Sequence, residues 1–170
     1  MVGEGCLVID RLWSGEEAWA AEQAEVRFAL GPPGLRVQIE APFHGDPGPA
    51  GPPGRLNGLW NYEVVELFLA NEEGHYLELE FGPHGHYLAL RFAGARQLVR
   101  DDLPVVYRAE IAGRSWRGWA ETPLAALPLG SRLANAYAIH GQGEARRYLA
   151  AHPLAGSRPD FHQPHRFQPW

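Results

Sequence analysis

Between Val64 and Phe92 the chain reads VVELFLANEEGHYLELEFGPHGHYLALRF, three runs of alternating side chains punctuated by NEEG and GPHG. A period of two with turn residues between the runs predicts antiparallel strands over Glu63–Leu69, Tyr76–Phe81 and His86–Phe92. Similar runs predict strands at Cys6–Asp10, Ala24–Leu30, Leu35–Ala41, Leu98–Asp101, Val105–Ile111, Trp116–Thr122, Leu133–His140 and Arg147–Ala150, with GPPG closing the hairpin after Leu30. Helical signals are brief. Glu16–Gln23 allows one or two turns. TPLAAL (Thr122–Leu127) has Thr at the N-cap position and Pro opening a single turn. Many short strands with few helices predict an all-β antiparallel sandwich, jelly-roll-like, carrying one or two short helical turns.

With NEEG and GPHG taken as four-residue turns, Phe68 pairs with Leu77, Glu66 with Leu79, and Leu79 with Leu88. One face of this meander is then apolar apart from Glu66 and His86. On that register Glu66 is a structural carboxylate buried in the core, held by backbone N–H groups or an Arg, since burying it unpaired costs several kcal/mol. A ligand or metal contact is the alternative. The opposite face gathers Tyr76, Glu78, Glu80, Tyr87 and Arg91, which predicts a ligand-binding surface, with Trp60 on its rim and Trp119 pointing outward from its own strand. Trp13, Trp19 and Trp116 are expected in ordinary packing. Glu78 and Glu80 also invite comparison with the acid and base of a glycosidase, but neighbours on one strand rarely flank a scissile bond.

Two segments lack periodicity. Asp46–Gly58, DPGPAGPPGRLNG, is a proline–glycine loop, and residues 153–170 are rich in His, Pro and aromatic side chains. The apolar content of this second segment predicts a tail that wraps the domain. Its PDFHQPH has the form D-x-H-x-x-H. With His140 it offers Asp160, His162 and His165 as ligands for zinc or iron.

Composition narrows the function classes. The 170 residues are 45% hydrophobic, enough for one domain over 1–170 with its own core. Net charge is −5, and the 15 basic residues, all arginine, form no basic lobe, which argues against nucleic acid as a partner. No apolar run approaches the ~20 residues of a membrane span. A lone Cys6 and an acidic, leaderless N-terminal stretch lead to a cytoplasmic expectation. No P-loop, dinucleotide fingerprint, nucleophile elbow or zinc-finger spacing occurs, so binding ranks above catalysis.

Two longer patterns carry a resemblance. LWNYEVVELFL with YLELEFGPHGHY, and SWRGWAETPLAALPLGSRLANAYAIHG, resemble family 9 carbohydrate-binding modules and DOMON-type sandwiches. That resemblance implies two antiparallel sheets, often a structural Ca²⁺, and sugar binding on aromatic platforms. APFHGDP, LWNYEVVELF, YLELEFGPHGHYL, AIHG and PDFH resemble more closely an uncharacterised conserved family of bacteria and vertebrates that includes a vertebrate chromosome-4 open-reading-frame product. It implies no catalytic residues. The leading expectation is non-catalytic binding of a small polar ligand, with a saccharide foremost. The alternatives are a metal-assisted or glycoside-type hydrolase and a structural or interaction module. Calcium, or a metal on the late His/Asp group, is the cofactor expectation, and oligomeric state stays open.

Overall fold

Two packed β-sheets make up the computed structural model, which describes residues 3–170. In chain order the strands are β1 (Gly3–Ile9), β2 (Arg11–Leu12), β3 (Ala24–Gly31), β4 (Gly34–Pro42), β5 (Gly54–Arg55), β6 (Val64–Ala70) and β7 (Tyr76–Phe81). They continue with β8 (His86–Phe92), β9 (Leu98–Arg100), β10 (Val106–Ala112), β11 (Ser115–Pro123), β12 (Leu133–His140), β13 (Arg147–Ala150) and β14 (Gln168–Pro169). One sheet has five strands in the order β1-β3-β4-β11-β10. The other has nine: seven in the order β2-β13-β12-β6-β7-β8-β5, with β14 added to β12 and β9 to β8. All pairings are antiparallel except β5 with β8. Among the described residues the helical content is 3-10 turns only, including Ala20–Glu22, Leu59–Asn61 and Leu124–Ala126. No described helix is long and apolar enough to cross a membrane.

Between the sheets lies an apolar core. Val65, Leu67 and Leu69 of β6, Leu77, Leu79 and Phe81 of β7, and Ala134, Ala136 and Ala138 of β12 meet Val26, Phe28, Val37, Ile39 and Trp116. The nine-stranded sheet is covered on its other side as well. All seven positions of β6 are buried, and a two-sided strand has no need of a polar face. Phe68, Tyr76, Phe92 and Tyr137 form a second core there, under residues 153–170. Phe161 stacks on Tyr137 with centroids 3.9 Å apart, and Phe167 meets Phe68 edge-on at 5.8 Å. Trp170 ends the chain edge-on to Phe28.

The meander register differs by one residue from the four-residue-turn reading. Glu66 lies opposite Glu80, Phe68 opposite Glu78, and Glu80 opposite Leu88. The cause is loop length. In the first hairpin Asn71 N–H bonds His75 O and Gly74 N–H bonds Asn71 O; in the second, Gly82 N–H bonds His86 O and Gly85 N–H bonds Gly82 O. Each loop therefore has three residues and ends on a left-handed glycine, Gly74 at φ 81° and Gly85 at φ 88°. The change from an even to an odd loop carries β7 over to the other face. Glu78 and Glu80 consequently share a face with Glu66, whereas Tyr87 and Arg91 point between the sheets. Tyr87 packs beside the core, and Arg91 donates to the carbonyls of Ala125 and Ala126 at 3.2 and 3.4 Å.

Candidate functional site

Three glutamates meet beneath a cavity on the outer face of the nine-stranded sheet. Glu66 comes from β6, Glu78 and Glu80 from β7, and one carboxylate oxygen of each lies within 4.8 Å of the other two. All three are buried, Glu80 completely. Cross-strand pairing sets Glu66 against Glu80, and Glu78 is the next outward residue along β7. Glu78 Oε2 and both oxygens of Glu80 have no hydrogen-bond partner among the described residues. The backbone or arginine partner expected for Glu66 is likewise missing: its charged neighbours are Glu78, Glu80 and, at longer range, Arg146. Burial first, then mutual repulsion, pushes Glu66 and Glu80 well above the ordinary carboxylate range, and burial raises Glu78 to about 7.

Histidine does not neutralise this cluster. His162 Nδ1 is 4.0 Å from Glu78 Oε2 and 2.6 Å from the Tyr76 hydroxyl. That hydroxyl also accepts the Arg96 N–H at 3.1 Å. Burial, followed by the Arg96 charge, lowers His162 to about 4, consistent with a neutral ring. Arg96 itself sits at φ 60°, a left-handed conformation rarely taken by a long side chain, and its guanidinium pairs with Asp160 at 2.8 Å.

The cavity above has a volume of about 550 Å³. Glu66 and Glu78 form its floor; Trp60, Phe92, Tyr148 and Phe161 supply aromatic walls; Asn61, Arg96, Arg146 and His162 supply polar ones. Trp60 and Asn61 are carried by the Leu59–Asn61 turn, whose position is fixed by buried Leu59. Arg146 anchors the same turn by donating to Trp60 O and to Gly141 O. A broader depression of about 970 Å³ runs along the five-stranded sheet, but it is shallow and its charges pair with one another, Arg27 with Glu25 and Arg117 with Glu40.

Of the expected ligand-binding residues, Trp60 and Glu78 line the cavity and Glu80 lies directly beneath it. Tyr76 is buried below, acting through His162. Trp119 is on the outer face of the five-stranded sheet under Arg108, so it belongs to a different surface. The expected metal group does not assemble. His140 bonds Glu22 at 2.8 Å and stacks on His44, whereas His162 lines the cavity, Asp160 pairs with Arg96 and His165 is exposed. The tail crosses the sheet instead of folding back to the end of β12. Arg146, Tyr148 and Phe161 gave no motif in sequence; their only signal was aromatic and arginine density near the chain's end.

No family model matches the chain. Curated relatives do. The UPF0462 protein C4orf33 homolog of Danio rerio is 42% identical over 153 residues, covering 85% of this chain and 78% of that protein. The human UPF0462 protein C4orf33 is 37% identical over 163 residues, covering 91% and 81%. This chain belongs to the UPF0462 family. Like the mouse homolog, 36% identical over 171 residues, these family members match along most of their own length. Among solved structures, a Bacteroides uniformis protein described as a "putative carbohydrate-binding protein" superposes with a TM-score of 0.66 at 20% identity, covering 96% of this chain and 84% of that one. A family 9 carbohydrate-binding module from Caldicellulosiruptor kristjanssonii, solved with cellotriose, gives 0.53 at 15% identity, covering 79% and 68%. At such identities the likeness concerns the fold, an antiparallel sandwich of the carbohydrate-binding-module type.

Proposed function

We propose that this UPF0462 member binds a small polar ligand, a saccharide, in the cavity above Glu66 and Glu78. The observation that carries the reading is the pairing of aromatic walls with a polar floor in one concave site. Flat rings of Trp60 and Tyr148 suit the C–H faces of a sugar, and carboxyl, amide and guanidinium groups suit its hydroxyls. The volume falls in the roughly 300–1,000 Å³ range of small-molecule sites. Sandwich neighbours described as carbohydrate-binding support the choice of ligand class without transferring a site. Glycoside cleavage is less favoured: the three carboxyls share one wall, so a substrate would meet them from one side instead of being flanked.

A glycan array followed by calorimetry on the hits tests the reading. Binding is expected to weaken about tenfold or more in Trp60→Ala, a loss typical of a stacking platform. An array without hits, or hits that ignore Trp60→Ala and Tyr148→Ala alike, removes the cavity from consideration.

A further inference from the structure

We propose that Glu66, Glu78 and Glu80 form a binding site for a hard divalent cation, Ca²⁺, Mn²⁺ or Mg²⁺. Oxygens that all touch one ion of this class sit about 2.0–2.6 Å from it, so any two of them are at most about twice that apart. One oxygen from each of the three carboxyls lies within 4.8 Å of the other two, inside the limit of about 5.2 Å for Ca²⁺, the largest of the three ions. A carboxylate trio alone is a common surface feature, but this one is not on a surface. Glu78 Oε2 and both Glu80 oxygens are buried without a partner, and Glu78 lines the cavity. Buried acceptors are nearly always satisfied, so orphaned oxygens on two of three glutamates that meet at one place point to a missing partner there.

The protein's own cations do not fill that place. His162 Nδ1 is hydrogen-bonded to the Tyr76 hydroxyl, Arg96 pairs with Asp160, and Arg146 donates to the carbonyls of Gly141 and Trp60. Among the described residues no Arg nitrogen lies within 4.0 Å of the three carboxylates, as the ion pairs show. An all-oxygen, acidic donor set selects against soft metals and for hard ones. Glu66 and Glu78 border the cavity while Glu80 closes the far side, so an ion would be held from below and open above. A carbohydrate hydroxyl entering the cavity could then complete its coordination, although cation binding does not depend on the saccharide reading.

The test uses the full chain, stripped with chelator and free of any histidine tag, with CaCl₂, MnCl₂ and MgCl₂ as separate probes at pH 8 and no glycan present. Calorimetry is expected to give one site per chain for at least one cation at about 1 mM or below, the weak end of protein calcium sites. The melting temperature should rise with that cation. Glu80→Gln and Glu66→Gln should each weaken binding roughly tenfold or more while keeping the side-chain volume, and either one that folds is sufficient to judge. No binding by any of the three cations overturns the proposal. So does equal binding by the wild type and a folded variant, which would place the ion elsewhere. Cation binding with a blank glycan array would sink only the saccharide reading, and glycan binding without cations only this one.

Discussion

Two buried acidic centres occupy this fold, and they are built in opposite ways. Glu22 is 3% exposed, yet every side of it is answered: Arg147 bonds both its oxygens, His140 Nε2 bonds Oε1 at 2.8 Å, and the Trp19 amide donates to Oε2 at 3.1 Å. Trp19, still 64% exposed, packs at the edge over Arg147 at 3.8 Å. The trio of Glu66, Glu78 and Glu80 is as deeply buried but unanswered. Burial alone would raise Glu22, and its hydrogen bonds, led by Arg147, hold it below the ordinary value of 4.5; in the trio burial outweighs everything that opposes it. A buried carboxylate is thus not a functional signal by itself. The missing partner is.

The contrast breaks most sharply under substitution. Glu22→Ala leaves Arg147 and His140 without their partner and should destabilise by about 2–4 kcal/mol in a urea titration, the scale of a broken buried pair with some solvent access. Wild-type stability in that variant would mean that Glu22 is dispensable and the two centres are not opposites. Glu80→Gln should do the reverse. In chelator at pH 8 it relieves an uncompensated charge and should raise stability by about 1–3 kcal/mol. A Glu80→Gln protein less stable than wild type under those conditions would contradict the orphan reading.

The two centres should also part company with pH. Glu78 is raised in the fold, so its contribution is full below about 4.5 and is lost as pH climbs through about 7. Glu22 is lowered, so its contribution is present above 4.5 and disappears as pH falls through its folded value. Melts in chelator from pH 3 to 9 should therefore show Glu22→Ala flattening the acid limb and Glu78→Gln flattening the limb near neutrality. Interchanged limbs would refute the assignment. The smallest expected change is in Trp60→Ala. Trp60 is 43% exposed, so stability should move by less than about 1 kcal/mol even where ligand binding fails.

Much of this architecture is readable from alternation alone. The strands around Val64–Phe92 and Leu133–His140 have clear strand patterns, and TPLAAL does hold a single turn, though it spans Leu124–Ala126 with Pro123, not Thr122, at its cap. What alternation does not encode is which strand faces pair across a hairpin. That depends on whether NEEG and GPHG act as four-residue turns or lend their glycines to three-residue loops, a difference of one residue that decides whether Glu78 meets Glu66 or Arg91. The separation of His140 from His162 was equally hidden. It follows from the path of an aperiodic tail, which Phe161 and Phe167 direct across the sheet by their burial. Short strands such as β2, β5 and β14 are two residues long, too brief for any periodicity to register.

The Glu22 node has a consequence for the order of events in folding. Its partners His140 and Arg147 lie 118 and 125 residues further along the chain. Contacts of that separation carry a large loop-closure cost and form only after the intervening hairpins have shortened the path. The expected order is that the node closes after the rate-limiting barrier, like a latch, which refolding and unfolding kinetics of Glu22→Ala check. Weakening it should leave the refolding rate nearly unchanged and accelerate unfolding, so that Glu22 governs how long a folded molecule lasts far more than how quickly it forms.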